Sequence, residues 1–92
     1  MQVGTIKVKQ MKSKKSGASV NNQFIIYTEQ GKYFQSYEST IVFVPNIGPI
    51  QLGPDWNASR TTSKYRSLFL YETTVETRKK LLDGTYILNN EL

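Results

Sequence analysis

The spacing of apolar residues changes at Gly53-Pro54, and this change constrains the fold more than any other feature of the chain. Before it, apolar residues come in short runs rich in β-branched and aromatic side chains, separated by Gly, Pro and Asn, which is the pattern of strands and turns. After it, they recur at helical intervals. Residues 3–9 alternate weakly and read as a first strand, with Ile6 and Val8 on the face opposite Thr5 and Lys7. Residues 24–28 and 33–37 read as the two arms of a hairpin, with Gly31 supplying the positive φ of its turn. Residues 40–44 are the most apolar run; they either continue the second arm through a bulge at Glu38-Ser39 or begin a new strand. Pro45-Asn-Ile-Gly48 is a turn, and residues 49–52 a short strand that Pro49 places at an edge or a strand start.

Two helices are expected next, at about 62–70 and 74–83. Tyr65, Leu68 and Phe69 share one side of the first. The second opens on the capping box Thr73-x-x-Glu76, ends before Gly84, and carries a narrow apolar stripe of Val75, Leu81 and Leu82. Residues 85–88 close as a strand. Strands first and helices later is the α+β pattern: a small antiparallel sheet of about four to six strands packed against two helices in the C-terminal half. A chain of 92 residues suits a single domain, 1–92, here with a mobile basic loop at about 10–22.

Composition excludes several chemistries. Without cysteine there are no disulfides and no thiolate metal sites, which favours a cytoplasmic setting. Without histidine the commonest general base and metal ligand are missing. The seven acids (Glu29, Glu38, Asp55, Glu72, Glu76, Asp83 and Glu91) are scattered, with no pair at metal-ligand spacing. The expectation is a protein that is not an enzyme, with no catalytic residue, metal or cofactor. No apolar run approaches the ~20 residues that span a bilayer, and the lysine-bearing start lacks the apolar segment of a signal peptide. No membrane partner is expected.

The net charge of +5 and a pI near 9.6 point to an anionic partner: nucleic acid, an anionic surface or an acidic protein. Lys12, Lys14 and Lys15 crowd the basic loop and would neutralise phosphates without reading sequence. Arg60, Lys64 and Arg66 lie on the first helix beside Ser59, Thr61 and Thr62, whose hydroxyls would either cap the helix or join an anion site at its start. Trp56 reads as a core anchor beneath that helix, leaving the three cations without a folding task. Arg78, Lys79 and Lys80 fall in the second half of the second helix, where the dipole also favours cations. Tyr33 and Tyr37, sharing a strand face beside Lys32, would form a stacking platform if that face is open, and core if it is covered.

The segments Tyr33-Phe-Gln-Ser-Tyr-Glu-Ser-Thr-Ile41, Trp56 with Ser59-Arg-Thr-Thr-Ser-Lys-Tyr65 and Phe69-Leu70, and Glu72, Glu76-Thr77, Lys79-Lys80 and Gly84-Thr-Tyr86 resemble a family of small uncharacterised proteins from bacteriophages and mobile elements. The resemblance covers about residues 33–88. Its pattern is FQSY-x-S/T-x-I, then W-x-x-S-x-T-T-x-K-Y-x-x-x-F-L, then E-T-x-K-K ending in G-x-Y. Asn57 and Ala58 depart from it, since family members often carry an aromatic there. The resemblance implies a product working in the cytoplasm of a bacterial host, and no activity. Three roles are expected: an accessory protein contacting nucleic acid through a basic surface; an inhibitor of a host enzyme such as a defence nuclease, in the manner of anti-CRISPR proteins; or a small assembly subunit, a homodimer through an uncovered sheet edge.

Overall fold

A computed structural model describes residues 6–92 and shows an α+β fold with one six-stranded sheet and two helices. The strands are β1 (Lys7–Lys12), β2 (Ser19–Thr28), β3 (Gly31–Ser36), β4 (Ser39–Pro45), β5 (Gln51–Leu52) and β6 (Ile87–Leu88). The helices α1 (Arg60–Leu70) and α2 (Thr74–Leu82) lie between β5 and β6 in the chain. Spatial order follows chain order: β1 to β5 form an antiparallel meander, and β6 pairs parallel with β5. A parallel pair needs a long crossover, which the two helices supply.

Turn chemistry explains the hairpins. Between β2 and β3 the loop is Glu29-Gln30, because Thr28 pairs with Gly31. Gly31 has φ 147°, and a Cβ there would collide with the Val44 carbonyl, so only glycine fits. Between β3 and β4 the pair Ser36–Ser39 leaves the loop Tyr37-Glu38, with Tyr37 left-handed at φ 56°. Residues 40–44 therefore belong to a new strand. Between β1 and β2, the Ser13 N–H donates to the Ala18 carbonyl (2.9 Å) and the Gly17 N–H to Ser13 (2.8 Å). The basic loop expected at about 10–22 is thus only residues 13–18, because its flanks are drawn into strand pairing as far as Lys12–Ser19. The first strand runs later than expected; Val3, Gly4 and Thr5 lie outside the described residues.

Strand alternation separates two faces. Phe34 stacks on Phe69 of α1 (centroids 5.6 Å apart) and the Ser36 and Thr62 hydroxyls bond at 2.9 Å, so this face of β3 lies under the helices. Ile25, Val42 and Leu52 join Phe34 on the helix side, and Met11, Ile41, Tyr65, Phe69 and Tyr86 complete the core. Val8, Ile26, Tyr33 and Phe43 point to the opposite face, which no described helix covers. Val8, on the outer strand of this uncovered face, is 61% exposed.

Bulges adjust the pattern. Phe34 pairs with Val42 but Gln35 with Thr40, leaving Ile41 as the extra residue, and the neighbours Ile41 and Val42 are both buried. In α2 only Leu81 of the expected apolar stripe faces inward. Leu81 packs on the core and Thr77 is fully buried, whereas Val75 and Leu82 are 66% and 82% exposed. The rotation follows from Thr77, whose hydroxyl donates to the Glu72 carboxylate at 2.5 Å.

Candidate nucleic-acid interface

The α1 start is built as a cap. Ser59 accepts the Thr62 N–H (3.1 Å), and the Thr62 hydroxyl is buried against Ser36. Two of the three hydroxyls are thereby occupied in folding, and Thr61 stands exposed beside them.

Arg66, expected at the surface, is fully buried. Its Nη1 donates to the Trp56 carbonyl (2.6 Å) and its Nη2 to the Thr74 hydroxyl (2.6 Å), and the guanidinium lies 5.1 Å from the centroid of the Trp56 ring. It ties the loop before α1 to the start of α2. Burial pushes its pKa down; Glu72 opposes this and Arg78 adds to it. Arg66 thus has a folding task and is withdrawn from the candidate surface. Arg78 covers the same indole at 5.6 Å while remaining exposed.

Glu72 organises the corner between the helices. Its carboxylate, with the side chain only 4% exposed, accepts from Lys80 Nζ (2.6 Å), Thr77 Oγ1 (2.5 Å) and Tyr86 OH (2.8 Å). Burial raises the Glu72 pKa, and these hydrogen bonds outweigh it, so the net shift is downward. Lys80 is held as the ion-pair partner and is half-buried, which removes it from the freely exposed cations.

The remaining candidates are exposed. Among the described residues Lys80–Glu72 is the one ion pair. Of the twelve Lys and Arg residues, setting aside buried Arg66 and paired Lys80 leaves ten cations with solvent access and no carboxylate partner. Lys79 lies in the last turn of α2, where the helix dipole already welcomes it. Arg60 and Lys64 do not enjoy this: they sit in the first half of α1, which has no acid in its first turn, so the dipole opposes them. Lys64 approaches the Tyr65 ring at 5.4 Å. Lys12 and Lys14 border a groove of about 550 Å³ with Met11, Leu68 and Tyr71, and Lys15 sits exposed in the turn beyond.

The proposed tyrosine platform is divided. Tyr33 lies on the uncovered face, stacked on Phe43 with centroids 4.4 Å apart, and Tyr37 sits in the β3–β4 turn. Lys32 points the other way, its Nζ 5.2 Å from the Phe69 ring. On the sheet, an aromatic that does stand among cations is Tyr27. In one cross-strand row Lys7 pairs with Tyr27 and Tyr27 with Lys32, so two lysines flank a ring that is 41% exposed on the helix side. The signal was present in the turn length: a Glu29-Gln30 loop sets Tyr27 opposite Lys32.

No group of three or more acidic side chains that would hold a metal ion occurs among the described residues, and no helix there is long and apolar enough to cross a membrane. Residues 6–84 match the model of DUF8033, a family of unknown function. No curated protein and no solved structure matches the chain.

Proposed function

For this chain, which belongs to the DUF8033 family, we propose a non-enzymatic role in which the helix side of the molecule contacts nucleic acid. One observation carries the reading: the row Lys7–Tyr27–Lys32 combines two cations with a half-exposed ring between them. Phosphates are held by lysine as point charges, and an unstacked base finds a π face on the tyrosine. Arg60 and Lys64, placed against the helix dipole, extend the cationic side. No base-reading element is implied, so binding would be general and would favour single strands.

Fluorescence anisotropy with labelled single-stranded and duplex oligonucleotides, titrated across salt, tests this. Affinity is expected to fall steeply with salt, and Lys7→Ala or Lys32→Ala to reduce the log–log salt slope by about one each. Tyr27→Ala is expected to weaken single-strand binding by about 1–3 kcal/mol with the slope unchanged. Absence of binding at ~100 mM salt, or equal binding by all three variants, would refute the reading.

A further inference from the structure

We propose that the uncovered face of the sheet receives a second copy of the chain, joining two sheets face to face in a symmetric dimer. Paired residues form a row across all six strands on this side: Val8, Ile26, Tyr33, Phe43, Gln51 and Ile87. A neighbouring row holds Gln10, Phe24, Gln35 and Thr40. On the other side lie Thr28, Gly31 and Pro45. None of these thirteen positions is charged, in a chain with twelve cations and seven acids.

That neutrality selects the occupant. Phosphates find no cation on these rows, so nucleic acid gains little there. A copy of the same chain, also at +5, is repelled from the cationic helix side but not from this face. Depletion of charge beneath aromatic residues is also what the centre of a protein interface shows. The arrangement is self-complementary. The stacked Tyr33–Phe43 pair lies on β3 and β4, the middle of the six-strand row, so a two-fold axis through the row centre sets ring pair against ring pair. Aligned sheets pack at about 10 Å, which suits interdigitated side chains of this size.

The area suffices for a modest dimer. Thirteen positions, each taking ~4.8 Å across the strands by about 6.7 Å along them, cover about 420 Å², or about 500 Å² per copy with side-chain margins. The total of about 1,000 Å² sits at the threshold for a specific interface, consistent with micromolar association.

Sedimentation equilibrium from low micromolar to a few hundred micromolar protein tests the proposal. The wild type is expected to pass from monomer to dimer, and added salt to strengthen the dimer by screening net charge, opposite to its effect on nucleic-acid binding. Val8→Asp on the exposed outer strand and Phe43→Asp at the centre are expected to weaken dimerisation at least tenfold, with Val75→Asp on α2 as an unaffected control. Folding of each is checked by circular dichroism; Val8→Asp decides the matter if Phe43→Asp unfolds. A wild type that stays monomeric throughout, or a folded Val8→Asp that dimerises as well as the wild type, would overturn it. Neither result bears on nucleic-acid binding by the monomer.

Discussion

Replacing Arg66 gives the sharpest test of how the two helices are held together. The Arg66→Met variant keeps the unbranched stem and removes the guanidinium with its bonds to the Trp56 carbonyl and Thr74 hydroxyl. Two short charge-assisted hydrogen bonds are worth about 3–6 kcal/mol together, and the stacking on Trp56 adds about 1. Against this, the wild type bears the cost of a buried guanidinium whose Nε has no partner. Relief of that cost returns several kcal/mol. The net expectation is a loss of about 2–3 kcal/mol, or roughly 10–20 °C in Tm for a domain of this size. Arg66→Lys is expected to lose less, because one ammonium keeps the charge and reaches one of the two acceptors. Urea unfolding measures the loss, and the emission of Trp56, the only tryptophan, reports on the corner itself. Lys64→Ala is the contrast: it should reduce nucleic-acid binding while leaving stability within about 0.5 kcal/mol. If Arg66→Met proved as stable as the wild type, with unchanged Trp56 emission, the bonds would not be holding the corner. The assignment of Arg66 to folding would then fail.

Two further outcomes follow from buried polar groups. Glu72 is held below its ordinary pKa, so the stability it contributes is present above the unfolded value of about 4.3 and is lost as pH falls through the lower folded value. Unfolding followed by urea titration is therefore expected to be nearly flat from about pH 5 to about pH 8 and to decline below about pH 4, with Glu72→Gln removing part of that acid slope. Gln23 is fully buried, and neither atom of its amide head has a hydrogen-bond partner. Gln23→Met, of similar length and flexible enough to fill the same space, is expected to raise stability by about 1–2 kcal/mol. A loss of stability instead would mean that the amide is bonded in solution.

Much of the fold was legible because local signals and tertiary demands agree. The Thr73/Glu76 box caps α2, the hairpin turns at Gly31, and Tyr65 and Phe69 point inward together. What escaped was set by long-range contacts. Ile41 and Val42 are buried side by side only because a bulge opposite Phe34 absorbs one residue, and nothing in the run Thr40-Ile-Val-Phe-Val44 marks where it falls. Arg66 looked like any helix-surface cation, since the carbonyl it satisfies is ten residues away and the hydroxyl eight. Val75 and Leu82 matched an inward stripe until Thr77 and Glu72 took that side of α2. At the candidate site the cations were visible, but their sorting was not. Lys32 and Tyr33 are adjacent in sequence and on opposite faces of the sheet, so the platform built on both had to divide.

The same alternation links the two proposals geometrically. With period two, the register that sets Lys7 and Lys32 beside Tyr27 on the helix side also sets Val8 and Tyr33 on the other, and a slip of one residue would exchange them. A dimer that buries the neutral rows must then carry its cations on its two outer sides, facing away from each other. Such a particle cannot lay both cationic sides along one straight strand. It can hold two separate segments, and the second contact then profits from the local concentration created by the first. Disrupting the sheet face with Val8→Asp should therefore lower the affinity for a short oligonucleotide by no more than one lost charge accounts for, and abolish the bridging of two. Mixing oligonucleotides with donor and acceptor dyes measures this: energy transfer is expected with the wild type and not with the variant. Bridging by a folded, monomeric Val8→Asp would break the connection between the dimer and the nucleic-acid surface.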